Sequence, residues 1–393
     1  MTNLLQKVRG RLANLRERRR EINEIAPLYS PDPADLDIER HLAEAIAWQK
    51  RAQDAGTDRG VSYGVLFGDD FDVSYPETTG YICQTFVDLG ALYNDQELID
   101  RAIAMGDWEI DIQMPEGAVM GGKYNANPTT PTPAVFNTGM VLLGWSALIR
   151  QTGEERFAAA ARRACDWLLE VQEADGNWIS GNSEFAIGGA SLYNVKAAWG
   201  LCEAGVALGN DEYVQAAIRN AEYCIAQQHD NGWFPNCCIH DSNNPLLHTL
   251  AYTMQGLIGI GKLTKRQDFI EAARRTADAQ ARIMDDTGFL PARQNSRFGV
   301  ADNSCCLTGS AQTSIVWSEL YVLTGDARYR DYARKVNRYL MAHHDICNAD
   351  ERIRGGLSGS WPVTAKYGRL KILNWATKFL IDALSYQLRN ESQ

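Results

Sequence analysis

Apolar residues are gathered into six segments that are hydrophobic on every face of a helix. They are SYPETTGYICQTFVDLGALY from Ser74, PAVFNTGMVLLGWSALI from Pro133, SLYNVKAAWGLCEAGVAL from Ser191, LHTLAYTMQGLIGIGKL from Leu247, GSAQTSIVWSELYVLTG from Gly309 and YGRLKILNWATKFLIDAL from Tyr367. Their starts lie about 56 to 62 residues apart, a fixed period that marks a repeat architecture. Each is preceded by a segment whose apolar residues recur at helical spacing and whose other face is charged. The first runs from about Leu36 to Gln53, and later ones read DQELIDRAIAMGDWEIDIQM, GEERFAAAARRACDWLLEVQ, NDEYVQAAIRNAEYCIAQQ, KRQDFIEAARRTADAQARIM and DARYRDYARKVNRYLMAHH. A helix apolar all round must be buried all round, and an amphipathic one can cover it. The pattern therefore predicts an all-α chain: an (α/α)6 toroid of six helical hairpins in two concentric layers.

Punctuation supports the hairpins. LYNDQ, TGEER, GNDEY and TGDAR each join a helix stop to an acidic start. Links this short make antiparallel neighbours. The outer segments mostly end in a second signal, QMPEGAVMGG, QEADGNWISG, QHDNGWFPN or MDDTGFLPA, an Asp/Asn/Gly turn followed by an apolar residue that pins the loop. The loops after these turns are long, about 14 to 25 residues, which is usual for functional loops. A closed ring brings the six loop-to-helix junctions together at one end, around one pocket. One domain over 36–393 is expected, because each hairpin buries its apolar face only against its neighbours.

Residues 1–35 form a separate arm: an amphipathic basic helix with Leu4, Leu5, Val8, Leu12 and Leu15 on one face, then a Pro/Asp linker. The arm suits docking on the body, on a second copy or on a partner protein. A net charge of −10 disfavours nucleic acid and anionic membrane. No apolar run reaches the roughly 20 residues of a membrane span, and the charged start MTNLLQKVRGRLANLRERRR lacks signal-peptide order. Nine cysteines, several on core faces, suit reduced thiols and a cytoplasmic location.

The motifs SYPETTGY, VFNTG, NGWF, HTLAYT, CLTGSAQ, GGLSGSWP and NWATKFLIDAL resemble the VpsJ-like proteins of bacterial exopolysaccharide gene clusters over roughly residues 40–388. The broader pattern resembles the toroid shared by polysaccharide lyases, uronyl epimerases, glycoside hydrolases and terpenoid cyclases. That resemblance implies the toroid fold and a glycan context. The DxDD order of terpenoid cyclases is absent, GDDFD from Gly68 being the nearest stretch.

Topology places Tyr75, Glu77, Asn137, Tyr193, Asn194, His248, Tyr252, Gln312, Tyr367, Arg369, Asn374 and Trp375 at inner-helix starts. Tyr63, Tyr124, Trp178, Asn236, Arg293, Arg297 and Trp361 are added by loops. Aromatic faces with neutral polar groups suit a saccharide and leave an isoprenoid facing unpaired amides. His248, with Tyr252 one turn on, is the first catalytic candidate, as a proton-abstracting pair beside a uronate held by Arg293, Asn194 or Arg369. This favours a lyase or epimerase. Glu77 is the second, as the acid of a glycoside hydrolase with one of Asp69, Asp70, Asp72, Asp175, Glu184, Asp241 or Asp302 as partner. The toroid is also compatible with a noncatalytic glycan-binding subunit or a terpenoid cyclase. No cofactor is expected: no P-loop is present, and Cys237, Cys238, His240 and His248 with Cys305 and Cys306 lack zinc-site spacing, so packed thiols are expected ahead of a zinc site or a nucleophilic thiol at Cys306.

Overall fold

The computed structural model describes residues 17–125, 131–181, 191–238 and 241–391. Twelve α-helices from Ile38 onwards alternate between two layers. The outer ones are α1 (Ile38–Asp54), α3 (Gln96–Asp111), α5 (Glu155–Glu170), α7 (Asp211–Ala226), α9 (Gln267–Ile283) and α11 (Ala327–Met341). The inner ones are α2 (Pro76–Tyr93), α4 (Val135–Thr152), α6 (Val195–Leu208), α8 (Leu247–Thr264), α10 (Leu307–Thr324) and α12 (Asn374–Glu391). Each inner helix packs on the next, and α12 packs back on α2, so the inner ring closes. The (α/α)6 toroid is thus the fold of this chain. Among the described residues no helix is long and apolar enough to cross a membrane.

Local chemistry sets the helix ends. Asn94, Gly153, Gly209, Lys265 and Gly325 close inner helices in the left-handed conformation. Asp95, Asn210 and Asp326 then cap the next outer helix, their side chains accepting from Leu98, Glu212 and Arg328 N–H respectively. Inner helices approach backbone to backbone: a Cβ on Gly200 would sit 1.9 Å from the Gly139 carbonyl oxygen. That closeness lets the small ring pack densely despite the conformational cost of glycine within a helix.

A repeated clasp joins hairpin to hairpin at the outer layer. The amide Nε2 of Gln113 donates to Gly117 and Ala160 carbonyls at 2.7 and 3.0 Å, spanning its own turn and the next outer helix. Gln172 does the same to Gly176 and Ala216, and Gln228 to Gly232 and Ala272. The turn glycine itself lies on the next outer helix, with no room for a side chain. The last such contact closes the ring: a Cβ on Gly355 would stand 2.2 Å from the Glu44 carbonyl oxygen of α1.

Five short strands edge the rim. β1 (Gly64–Leu66) pairs with β5 (Lys371–Leu373), and β2 (Pro291–Gln294), β3 (Val300–Cys306) and β4 (Ser360–Trp361) form an antiparallel sheet. They correct one boundary. The sixth inner helix starts at Asn374, not near Tyr367, because strand pairing and left-handed backbone at Gly368 and Leu370 hold residues 360–373 in the rim. Tyr367 and Arg369 are therefore rim residues. Of the arm, Leu4, Leu5, Val8, Leu12 and Leu15 lie outside the described residues. Its end docks on the body: Tyr29 is buried, stacks on Phe67 with ring centroids 5.4 Å apart, and donates its hydroxyl to the His343 carbonyl at 2.8 Å.

Gly200→Ala forces α6 away from α4. It is expected to lower unfolding free energy by about 1–3 kcal/mol, the usual cost of overpacking, measured as a fall in the urea midpoint with an unchanged m-value.

Candidate active site

Glu77 is the second residue of α2, behind Pro76 at the first helical position. A helix N-terminus favours a carboxylate, but burial outweighs it here and pushes the Glu77 pKa up to about 7, partly offset by a hydrogen bond from Tyr75. The Tyr75 hydroxyl donates to Glu77 Oε2 at 3.0 Å. Glu77 lies deep in the molecule yet keeps part of its surface open. Around it stand aromatic rings at contact distance: Tyr63 is edge-on to Tyr75 at 5.3 Å and to Trp375 at 4.8 Å.

His248 is the second residue of α8, the inner helix opposite α2 in the ring order. Its Nδ1 lies 2.5 Å from Gln312 Oε1, and its ring meets Tyr252 and Tyr367 with centroids at 4.3 and 5.7 Å. Burial pushes its pKa down to about 4, so the imidazole is neutral at pH 7. A carbonyl-type acceptor on Nδ1 assigns the proton there and leaves the lone pair on Nε2. Below this level the bore is filled. Tyr81 and Tyr252 hydroxyls face each other from α2 and α8, neither forming a hydrogen bond of ordinary geometry. Phe379 packs on both rings at 5.5 and 6.1 Å, and Phe136 on Tyr252 at 4.9 Å. These four rings form the pocket floor.

Glu77, Tyr75, Tyr193, His248, Tyr252, Gln312, Tyr367 and Trp375 are brought together. Tyr193 sits edge-on to Phe136 at 5.2 Å, and Tyr367 accepts from Trp375 Nε1 at 2.7 Å. Other candidates are spent on the scaffold. Asn137 donates to the Met120 carbonyl, and Asn374 to the Ser62 carbonyl and Thr78 hydroxyl, which ties rim to helix. Asn194 is fully buried at the start of α6. Trp178 has no accessible surface and its indole donates to the Leu168 carbonyl at 3.0 Å, so it pins a turn rather than lining the pocket. Asn236 is exposed in a left-handed turn whose carbonyl accepts from Leu192 N–H. Tyr124 packs edge-on to Trp108 at 5.6 Å, and Trp361 against His343 at 4.7 Å, both in the rim wall.

The two candidate carboxylate anchors are engaged. Arg293, on β2, donates to the Asn244 carbonyl at 2.8 Å, and Arg369 is paired with Glu21 of the arm and donates to the Thr364 carbonyl. Rim acids are likewise committed: Asp72 to Lys123, Asp70 to Arg352, Asp175, Asp241 and Asp302 to their own turns. Glu184 and His240 lie outside the described residues. Among the described residues no three His, Cys, Asp or Glu side chains gather as a metal site. Cys306 caps α10 by accepting from Gly309 N–H, and burial raises its thiol well above the usual range. The floor residues Tyr81 and Phe379 are not among the candidates that the sequence points to. Tyr81 sits four residues after Glu77, so helical spacing carries that signal.

A family model described as beta-L-arabinofuranosidase, GH127 catalytic domain, matches residues 89–355. No curated protein matches the chain. Among solved structures, an unsaturated glucuronyl hydrolase specific for heparin superposes with a TM-score of 0.72 at 15% identity, over 91% of this chain and 98% of that one. A sugar epimerase from a ruminal bacterium gives 0.69 at 13%, over 89% and 98%. Cellobiose 2-epimerase from Bacillus thermoamylovorans gives 0.70 at 10%, also over 89% and 98%. At these identities the superpositions show the shared toroid.

The elevated Glu77 pKa has a thermodynamic signature. Between the unfolded carboxyl value of 4.5 and the folded value of about 7 the native state holds the extra proton. Stability from this group is therefore complete at low pH and falls as pH rises through that window. Relative to Glu77→Gln, the wild type is expected to lose up to about 3 kcal/mol between pH 4.5 and 8, read from urea unfolding of both proteins across that range.

Proposed function

The chain belongs to the beta-L-arabinofuranosidase GH127 catalytic-domain family, and on that premise we propose that it is a glycoside hydrolase whose proton donor is Glu77. The observation that carries this reading is a recessed carboxyl, hydrogen-bonded by Tyr75, walled by aromatic rings and half-protonated near neutral pH. Such a group can hold a proton at pH 7 and give it to a departing glycosidic oxygen. Tyr63, Tyr75 and Trp375 offer faces and edges for a sugar ring. His248, neutral and with a free lone pair on Nε2, can orient a sugar hydroxyl or a water on the opposite side of the axis. The substrate class is a neutral oligosaccharide or polysaccharide, since Arg369 is paired with Glu21 and the chain is acidic overall.

One observation favours a second reading. His248 and Tyr252 stand in contact on one helix face, as proton abstraction from a sugar carbon would need. In an epimerase or a lyase the imidazole would take the proton and Tyr252 or Glu77 would return it. For a uronate substrate, Arg369 would first have to leave Glu21.

Product analysis separates the readings. Incubation with neutral and acidic glycans, β-L-arabinofuranosides among them, is expected to yield fragments carrying an added water. Glu77→Gln should lower kcat by about 10²–10⁴-fold. Wild-type activity should fall as pH rises through about 7, because the protonated donor is the active form, and the variant should lack that limb. Unsaturated-ended fragments, or solvent deuterium entering the glycan, that vanish with His248→Ala would replace hydrolysis with the second reading. Glycan binding without any product would leave only a binding subunit.

A further inference from the structure

Beneath the aromatic floor, three inner helices contribute one continuous polar chain. Lys196 of α6 places Nζ 3.2 Å from Gln255 Oε1 of α8. Gln312 Nε2 of α10 lies 3.2 Å from that same oxygen, and Gln312 Oε1 meets His248 Nδ1 at 2.5 Å. All four side chains are buried. Among the described residues Lys196 has no carboxylate at ion-pair distance, and its other contact is the Trp199 ring, 4.0 Å from Nζ. Burial, first, and the Lys378 charge push the Lys196 pKa well below its usual value, against the smaller opposing pull of Glu319, Asp382 and Glu203. A buried amino group without an ionic partner must be satisfied by neighbouring dipoles.

The chain has a direction, and the amino group sets it by donating to Gln255. The Lys196 amino group has protons to give whether or not it is charged, and it meets Gln255 through the carbonyl oxygen. Gln255 must therefore turn its carbonyl oxygen towards Lys196. That oxygen then accepts from Gln312 Nε2, which turns the Gln312 oxygen towards His248. Only a protonated Nδ1 can answer it, so Nε2 is left with its lone pair towards the pocket. Remove the amino group and both amides can turn over. Gln312 Nε2 would then donate to a bare Nδ1, and the proton would move to Nε2, closing the lone pair that the pocket would use.

We propose that Lys196 is a positioning residue that fixes the tautomer of His248 through Gln255 and Gln312. The inference deepens the proposed role of His248 in the pocket and rests on it for its functional meaning. Its test does not. In ¹⁵N-histidine-labelled, ligand-free protein, the His248 ring nitrogens are assigned by loss of signal in His248→Ala. The wild type is expected to show a protonated Nδ1 and a bare Nε2. In Lys196→Met the population should cross to mostly Nε2–H, and Gln255→Leu, which cuts the chain without touching the lysine, should do the same. Variants are first required to keep wild-type helix content, and either one that does carries the test. A wild type already in the Nε2–H form, or a folded variant that keeps Nδ1–H, overturns the proposal. Because the readout is the imidazole itself, failure of Glu77 as proton donor would leave this result standing, and the converse.

Discussion

The structure depends on each turn glycine lying against the backbone of the following outer helix. The turn after α7 shows the contact in full: Gly232, with no room for a Cβ against Arg275, is held by Gln228 and Thr276, which bond its carbonyl oxygen. The contact relates neighbours only, so by itself it would extend into an open solenoid. Closure comes from the last copy, where Gly355 meets Glu44 of α1. Once the ring is shut, the inner helices are buried along most of their length and exposed mainly towards their C-terminal ends. Six helix N-termini then converge on one axis, and a pocket exists.

Within that pocket, burial outweighs every other influence on charge. Glu77 sits at a helix N-terminus that should favour its anion, yet it is pushed up to about 7. His248 is pushed down to about 4 by the same desolvation. The acid thus tends to keep its proton and the imidazole to lack one, on helices that stand opposite in the ring order. At the far end of the bore the charges are paired instead. Arg150 meets Glu203 at 2.8 Å, Lys262 meets Glu319 at 2.8 Å, and Lys378 meets Asp382 at 2.6 Å. Lys196 lies between these regions, without a carboxylate partner among the described residues, and its hydrogen bonds lead towards the pocket.

Much of this was legible in the chain. The period of the apolar segments gave the hairpins, and the Asn-Asp, Gly-Glu and Gly-Asp pairs gave their joints, because capping chemistry is local. The helix-start positions of Glu77 and His248 were legible too. The motifs suggested VpsJ-like proteins, whereas the family shown by comparison is that of a glycoside hydrolase catalytic domain. Trp178, Asn137 and Asn374 illustrate what local pattern misses. Each has the composition of a sugar-binding residue, and each is consumed by a hydrogen bond to a backbone or hydroxyl from a loop far along the chain or across a turn. Arg369 is matched by Glu21, 348 positions away.

The sequence by itself determined the repeat, the two layers, the helix ends and the end of the ring where polar residues collect. All follow from periodicity and short-range hydrogen bonding, which act over a few residues. Tertiary structure alone decided which polar groups remain free. That depends on desolvation and on partners supplied by other parts of the chain: it raised Glu77, neutralised His248, paired Arg369 with Glu21 and set Lys196 beneath the floor beside Gln255. Burial and long-range pairing are properties of the closed ring, and no single segment of the chain contains them.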